Sequence, residues 1–229
     1  MSIAKNLIAI RERIAEAAKR AGRNPSEVRL VAVSKTKPAA AIEEARSCGQ
    51  VIFGENYVQE FVTKQAELSG VSWHFIGGLQ SNKVRQIAGK VDLIHSVDRI
   101  SLAREIDRQW GALGKSCEVL IQVNISQEAT KSGTSSAGLL ELVTEVAKLP
   151  NLLVVGLMTM PPFFDDPEGA RPYFRALQEL AREVEAAGIP GVEMRELSMG
   201  MSGDFETAIE EGATLVRVGS ALFGERVYA

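Results

Sequence analysis

Strand-like and helix-like segments alternate from one end of this chain to the other, and few folds accept that rhythm. Ile3, Leu7, Ile10, Ile14 and Ala17 fall at helical spacing, so the chain opens with an amphipathic helix closed by Gly22. Short strand-like runs then fall at 30–35, 51–53, 72–76, 91–95, 118–124, 152–158, 193–197 and 214–218. Helical patterns separate them at 38–45, 57–68, 82–88, 98–113, 136–149, 167–187 and 204–210. Asp98, Ser136, Asp166 before Pro167, and Ser202 stand where helix caps are expected. No long linker or change of composition interrupts the pattern, which predicts one (β/α)8 barrel domain spanning 1–229. An open doubly wound sheet is the rival topology, but no glycine-rich nucleotide fingerprint follows the first strand. Only about ten residues follow the eighth strand, so the opening helix is expected to cover the seam between strands eight and one.

Composition narrows the partners. A net charge of -3 leaves no footprint for nucleic acid or an anionic membrane. The two cysteines, Cys48 and Cys117, and the two histidines, His74 and His95, do not have metal-ligand spacing. The most apolar stretch, Leu152 to Phe164, is too short to span a bilayer, which takes about 20 residues. Early charges in the first helix leave no signal-peptide core, so a cytoplasmic protein is expected, and with no exposed apolar stripe in the pattern a monomer is expected.

Barrel sites lie at the C-terminal ends of the strands. Val31, Val33 and Lys35 share one face of the first strand. If that face is the barrel interior, an amine sits over an apolar floor, where burial lowers its pKa and makes it a nucleophile toward aldehydes. The competing reading is a lysine that ends a strand and snorkels to water. Ser198-Met199-Gly200-Met201-Ser202-Gly203 after strand seven and Gly219-Ser220 after strand eight stand where barrels often bind phosphate. Each alone is also an ordinary turn. Arg217 shares a face with Leu215, so closure would turn Arg217 and Lys35 toward one pocket. Two inward cations are costly unless one is neutral or an anion sits between them, and a phosphorylated aldehyde satisfies both demands. Alternatively, Arg217 is bridged structurally by Glu196 or Glu225. His74 reads first as a satisfied core histidine. Asn56 and Thr159 serve either a ligand or their own turns, and Met158, Met160, Met199 and Met201 read as core filling near the mouth.

Several runs together resemble one family. They are Val31-Ala32-Val33-Ser34-Lys35-Thr36-Lys37-Pro38, Phe53-Gly54-Glu55-Asn56-Tyr57, and His74-Phe75-Ile76-Gly77 followed by Leu79-Gln80-Ser81-Asn82-Lys83. They continue with His95-Ser96-Val97-Asp98, Lys131-Ser132-Gly133, Gly156-Leu157-Met158-Thr159-Met160, Leu197-Ser198-Met199-Gly200-Met201-Ser202 and Arg217-Val218-Gly219-Ser220. In this order, over nearly the whole chain, they resemble the pyridoxal phosphate homeostasis proteins. Gly78 departs from the pattern, where a larger or polar residue is expected.

The resemblance implies a barrel like the N-terminal domain of alanine racemase, with pyridoxal 5'-phosphate as an internal aldimine on Lys35. It implies Ser202, Gly219 and Ser220 around the phosphate and Arg217 facing the pyridine nitrogen, with Asn56, Met199 and His74 also toward the cofactor. It further implies a part in balancing the vitamin B6 pool by holding the cofactor and passing it transiently to apoenzymes. Arginine donates hydrogen bonds but does not supply a proton, so the ring would be a weak electron sink. Alanine racemases work with such a ring, but add an acid/base from a second domain and a partner subunit. No residues are left here for such a domain, and Tyr57, Tyr173 and Tyr228 are poorly placed. A carrier is therefore expected. A pyridoxal-phosphate-dependent racemase or decarboxylase and a cofactor-free class I aldolase are the alternatives.

Overall fold

Inward and outward apolar faces on one strand require a layer on each side of the sheet, and closure of the sheet supplies the inner one. The computed structural model describes residues 2–128 and 130–224. The strands are β1 (Arg29–Val33), β2 (Ile52–Glu55), β3 (Ser72–Phe75), β4 (Leu93–Val97), β5 (Cys117–Gln122), β6 (Leu152–Met158), β7 (Val192–Ser198) and β8 (Leu215–Val218). They are parallel and close in sequence order into one barrel. Helices α1 (Ile3–Arg20), α2 (Ala39–Ser47), α3 (Val58–Glu67), α4 (Val84–Ile87), α5 (Ile100–Gly111), α6 (Leu139–Val146), α7 (Arg171–Ala186), α8 (Phe205–Glu210) and α9 (Ser220–Phe223) surround it.

Two apolar clusters result. Val31, Ile76, Leu93, Leu120, Val155, Met158 and Leu215 fill the barrel. Ala32, Phe53, Ile94, Val119, Leu157 and Val216 join the helices in the outer layer. The seam closes with Val31 opposite Arg217 and Ala32 opposite Val218. As expected, α1 flanks this seam. It packs on α8 and α9, and Asn6 Nδ2 donates to the Leu222 carbonyl at 2.9 Å.

Local signals were less exact than the rhythm. β1 ends at Val33, two residues early, because the chain turns at Lys35–Thr36 and Thr36 adopts φ 64°. The 82–88 helix divides into a 3-10 turn, Ser81–Lys83, and α4. Asp98 pairs with Arg99 at 2.6 Å and makes no cap. Ser135, not Ser136, accepts from Gly138 N–H (3.1 Å) just before α6. Asp166 does accept from Glu168 N–H, at 3.0 Å, opening the 3-10 turn that precedes α7.

One glycine is set by close approach. A Cβ at Gly156 would lie 1.8 Å from the Glu196 carbonyl oxygen, so β6 and β7 pair here only without a side chain. Gly156→Ala should lower stability by about 2–3 kcal/mol through forced strand separation, read as a fall in urea midpoint. An unchanged midpoint would show that the ladder shifts freely.

Candidate functional site

The C-terminal ends of the strands surround a cavity of about 650 Å³. Its wall includes Lys35, Asn56, Met201, Ser202, Arg217, Gly219 and Ser220, over a floor of Val33 and Ile76. β1 and β8 are neighbours, and Arg217 from β8 and Lys35 from the turn that follows β1 both line this cavity. The expected juxtaposition is therefore present.

Arg217 is buried, with 3% exposure. Its Nη1 donates to Ser198 Oγ at 2.5 Å and its Nη2 to the Thr159 carbonyl at 3.0 Å. Glu196 is not its partner. That carboxylate takes Arg29 and the Thr214 hydroxyl, and Glu225 lies outside the described residues. No carboxylate is within ion-pair distance of Arg217 among the described residues. Burial pushes its pKa down to about 10, while Asp204 opposes the shift. A guanidinium has five N–H donors, and two are used here. The others remain for whatever enters the cavity.

A polar chain continues beneath Arg217. Ser198 Oγ lies 2.8 Å from His95 Nδ1, and His95 Nε2 lies 3.0 Å from His74 Nδ1. Arginine only donates, so Ser198 accepts from it. Among the described residues, His95 Nδ1 is the acceptor in reach of the Ser198 proton. His95 then carries its proton on Nε2 and donates to His74. Both rings are neutral. Burial, helped by Arg29, pushes the His74 pKa down to about 3. Burial also holds His95 well below its ordinary value, aided by His74, Arg217 and Arg29.

The two C-terminal loops meet at one hydroxyl. Ser202 Oγ accepts from Gly219 N–H at 3.3 Å and Ala221 N–H at 3.4 Å. Ser202 thus laces the β7 and β8 loops together and does not cap α8. Asp204 closes the first loop by accepting from Met201 N–H at 2.6 Å. Burial raises the Asp204 pKa, and that backbone bond pulls it down. Asn56 is fixed by its neighbour, since a Cβ at Gly77 would lie 2.2 Å from the Asn56 carbonyl. Asn56 Oδ1 is buried and accepts no hydrogen bond from the described residues. Nothing lies within 4 Å of a Cβ at Gly78, so the departure there leaves the wall unchanged.

Two expected cofactor contacts are absent from the wall. Met199 is fully buried in the outer layer, because Ser198 points inward and the next side chain points outward. His74 lies below the floor, in the polar chain. Thr159 gives its hydroxyl to the Val123 carbonyl at 2.9 Å. Sequence reading missed His95 and Ser198 as supports of Arg217, although each is two residues past an inward position, Leu93 and Glu196. It also missed the rim, where Met160 and Phe163 are 43% and 86% exposed.

Comparison with known proteins adds a lineage. Residues 6–227 match the model of the alanine racemase N-terminal domain. A pyridoxal phosphate homeostasis protein of Aquifex aeolicus is 48% identical over 100% of both chains. This chain belongs to that family. The Escherichia coli K12 homeostasis protein is 47% identical over 99% of this chain and 98% of its own. PipY of Synechococcus elongatus, solved with PLP bound, is 39% identical with a TM-score of 0.85. That match covers 97% of this chain and 100% of PipY.

The neutral histidines make this homeostasis-family barrel acid-sensitive. On unfolding, each imidazole returns toward its ordinary value of 6.5, so the unfolded state binds more protons and stability falls with pH. For His74 the loss starts as pH drops through about 6.5 and ends near pH 3. His74 should cost about 2 kcal/mol between pH 7 and pH 5, and His95 adds to the loss in the same direction. Urea unfolding should show His74→Gln losing less stability across that interval than the parent protein. Equal losses would mean that His74 keeps an ordinary pKa in the fold.

Proposed function

We propose that this chain holds pyridoxal 5'-phosphate on Lys35 and releases it to apoenzymes, buffering the cofactor pool without turning over a substrate. The carrying observation is one cavity containing an amine, a buried guanidinium and two backbone N–H groups gathered at Ser202. These groups fit the cofactor. The Lys35 amine adds to the aldehyde carbon, a C=N bond forms, and the carbonyl oxygen leaves as water. The Ser202 and Ser220 hydroxyls offer donors to the phosphate, and the Gly219 and Ala221 N–H groups, which donate to Ser202 Oγ, hold that hydroxyl with its own proton left to give. Arg217 offers spare donors to the pyridine nitrogen, and the orphaned Asn56 Oδ1 offers an acceptor. When bound, the cofactor supplies an electron-withdrawing ring, and a donor without a transferable proton keeps that ring a modest sink.

Three observations support holding over turnover. Relatives matched along their full length bear the homeostasis name. Among the described residues of the wall, the acid/base groups are Lys35, Lys37 and Asp204, with no tyrosine or histidine. The rim carries exposed Met160 and Phe163, which leaves the mouth open. Among the described residues, no helix is long and apolar enough to cross a membrane, and no group of three or more His, Cys, Asp or Glu suits a metal. Exposed Ile8 and Leu140 lie on different helices, with Val51 just before β2 and Leu113 just after α5, and this dispersal supports a monomer. Light scattering should return the mass of one chain.

The pure protein with pyridoxal 5'-phosphate should show an imine absorption band, and borohydride should fix the ligand to the peptide carrying Lys35. Lys35→Ala should lose the band and keep the fold; persistence of the band would move the bond to another lysine, Lys37 first. Robust racemisation or decarboxylation by the pure protein, lost in Lys35→Ala, would overturn the carrier reading. Ser202→Ala should weaken pyridoxal 5'-phosphate by about 1–2 kcal/mol and leave unphosphorylated pyridoxal nearly unchanged. Equal losses for both would remove Ser202 from the phosphate.

A further inference from the structure

Outside the cavity, an ion cluster grips the backbone on both sides of Lys35. Lys64 lies on the inner face of α3, in line with Val58 and Phe61, and is only 7% exposed. Its ammonium donates to the Ser34 carbonyl at 2.8 Å, Glu55 Oε1 at 2.7 Å and Glu60 Oε2 at 2.9 Å. An ammonium has three protons, and all three are placed. Glu60 Oε2 also accepts from Thr36 N–H at 2.7 Å, and Ser34 Oγ donates to Glu55 Oε1 at 2.7 Å. The residues before and after Lys35 are therefore tied to the same three charges.

We infer that Glu55, Glu60 and Lys64 are positioning residues that aim the Lys35 amine into the cavity. The inference rests on the reading of Lys35 as the aldehyde-binding amine. Glu55, Glu60 and Lys64 are not on the cavity wall, so they act through the Lys35 backbone. Thr36 is where this backbone needs holding. Its φ of 64° is a left-handed conformation that is unfavourable for a non-glycine residue. The Thr36–Glu60 bond offsets that cost and fixes where β1 ends. An unheld turn would let the chain extend and swing the amine, whereas bond formation needs the nitrogen about 3–3.5 Å from the carbon.

Charge acts in the same direction. Glu60 keeps a negative charge behind Lys35, whereas burial raises the Glu55 pKa against the opposing pull of Lys64 and Ser34. Burial alone would raise the Glu60 pKa, but Lys64, the Thr36 N–H and the Lys35 charge together hold it below its ordinary value. A merely structural cluster would join α3 to the barrel with no effect on the lysine between its anchors.

The test separates these roles. Glu60→Ala removes the Thr36 acceptor, whereas Glu60→Gln keeps an oxygen there. Lys64→Met alone strands the buried Glu55 carboxylate and risks unfolding, so the paired variant Glu55→Gln/Lys64→Met is used, with folding checked by circular dichroism. Pyridoxal 5'-phosphate reports imine formation by absorbance. Pyridoxine 5'-phosphate, which lacks the aldehyde, reports the remaining contacts. In Glu60→Ala and in the paired variant, imine formation should slow at least about tenfold while pyridoxine 5'-phosphate affinity stays within about twofold. Glu60→Gln should recover most of the rate. Unchanged imine formation in folded variants, or parallel loss of both ligands, would overturn the inference. If the parent forms no imine, the reading of Lys35 falls, and Thr36 amide exchange then decides the clamp by itself. Faster exchange in Glu60→Ala than in Glu60→Gln supports the clamp, and equal exchange overturns it.

Discussion

The pairing of β1 with β8 is the constraint on which the site depends. Side chains alternate along a strand, so a ladder that sets Val31 against Arg217 also fixes which later residues share their side. Lys35 is an even number of residues beyond Val31. It reaches the cavity that Arg217 enters from the neighbouring strand. In an open sheet of the same strand order, β1 and β8 would be opposite edges and the two cations would never meet. Closure therefore creates the site as well as removing two exposed edges. α1 supports this seam, since its Asn6 reaches the Leu222 carbonyl in the helix following β8.

A buried guanidinium is costly, and the fold meets the cost in an unusual way. Arg217 is surrounded by neutral acceptors, the Ser198 hydroxyl and the Thr159 carbonyl, in place of a carboxylate partner. A carboxylate in contact would neutralise the site and compete with an anionic ligand. Ser198 holds its orientation only if something below accepts its proton, and His95 does so while His74 accepts from His95. Four strands thus contribute one chain of hydrogen bonds with a single direction. The same burial keeps both imidazoles neutral, so they add no further positive charge beneath Arg217.

The parts legible in the sequence were those governed by period and parity. Eight strands, their order and the inward face of Arg217 follow from alternation and agree with the barrel, while Lys35 lies past the end of β1 and reaches the cavity from a turn. Features set by competition between neighbours were not legible. Asp98 had the right residue type to cap α5, but Arg99 lies beside it and takes the carboxylate. Ser202 stood where a cap was expected, but Gly219 and Ala221 N–H reach it from another loop. Met199 fell within a loop motif, yet parity with inward Ser198 sends it outward, a deduction the sequence permitted. Lys64 carried a signal too, since it occupies the third position of the buried stripe begun by Val58 and Phe61. A lysine there needs buried carboxylates, and Glu55 and Glu60 were both near in sequence.

The arrangement of the wall bears on why such a site would hold a cofactor and stop there. Proton transfer at a bound substrate needs an acid or base free to approach its carbon. Asp204 is turned toward the Met201 backbone, and Lys37 Nζ donates to the Phe223 and Gly224 carbonyls at 3.1 Å. Both are engaged in shaping loops. Lys35 is the group whose surroundings point to chemistry, and its proposed bond forms and breaks by addition and loss of water. Under the proposed reading, Arg217 would give the ring a donor without a proton to surrender, which favours retention of the ligand over carbanion chemistry. Above, Met160 and Phe163 border an opening in place of a sealed lid. A firm floor with an open mouth suits the proposed reversible capture, in which the donors of the wall would face the ligand's phosphate and ring nitrogen while the mouth stays open for its release.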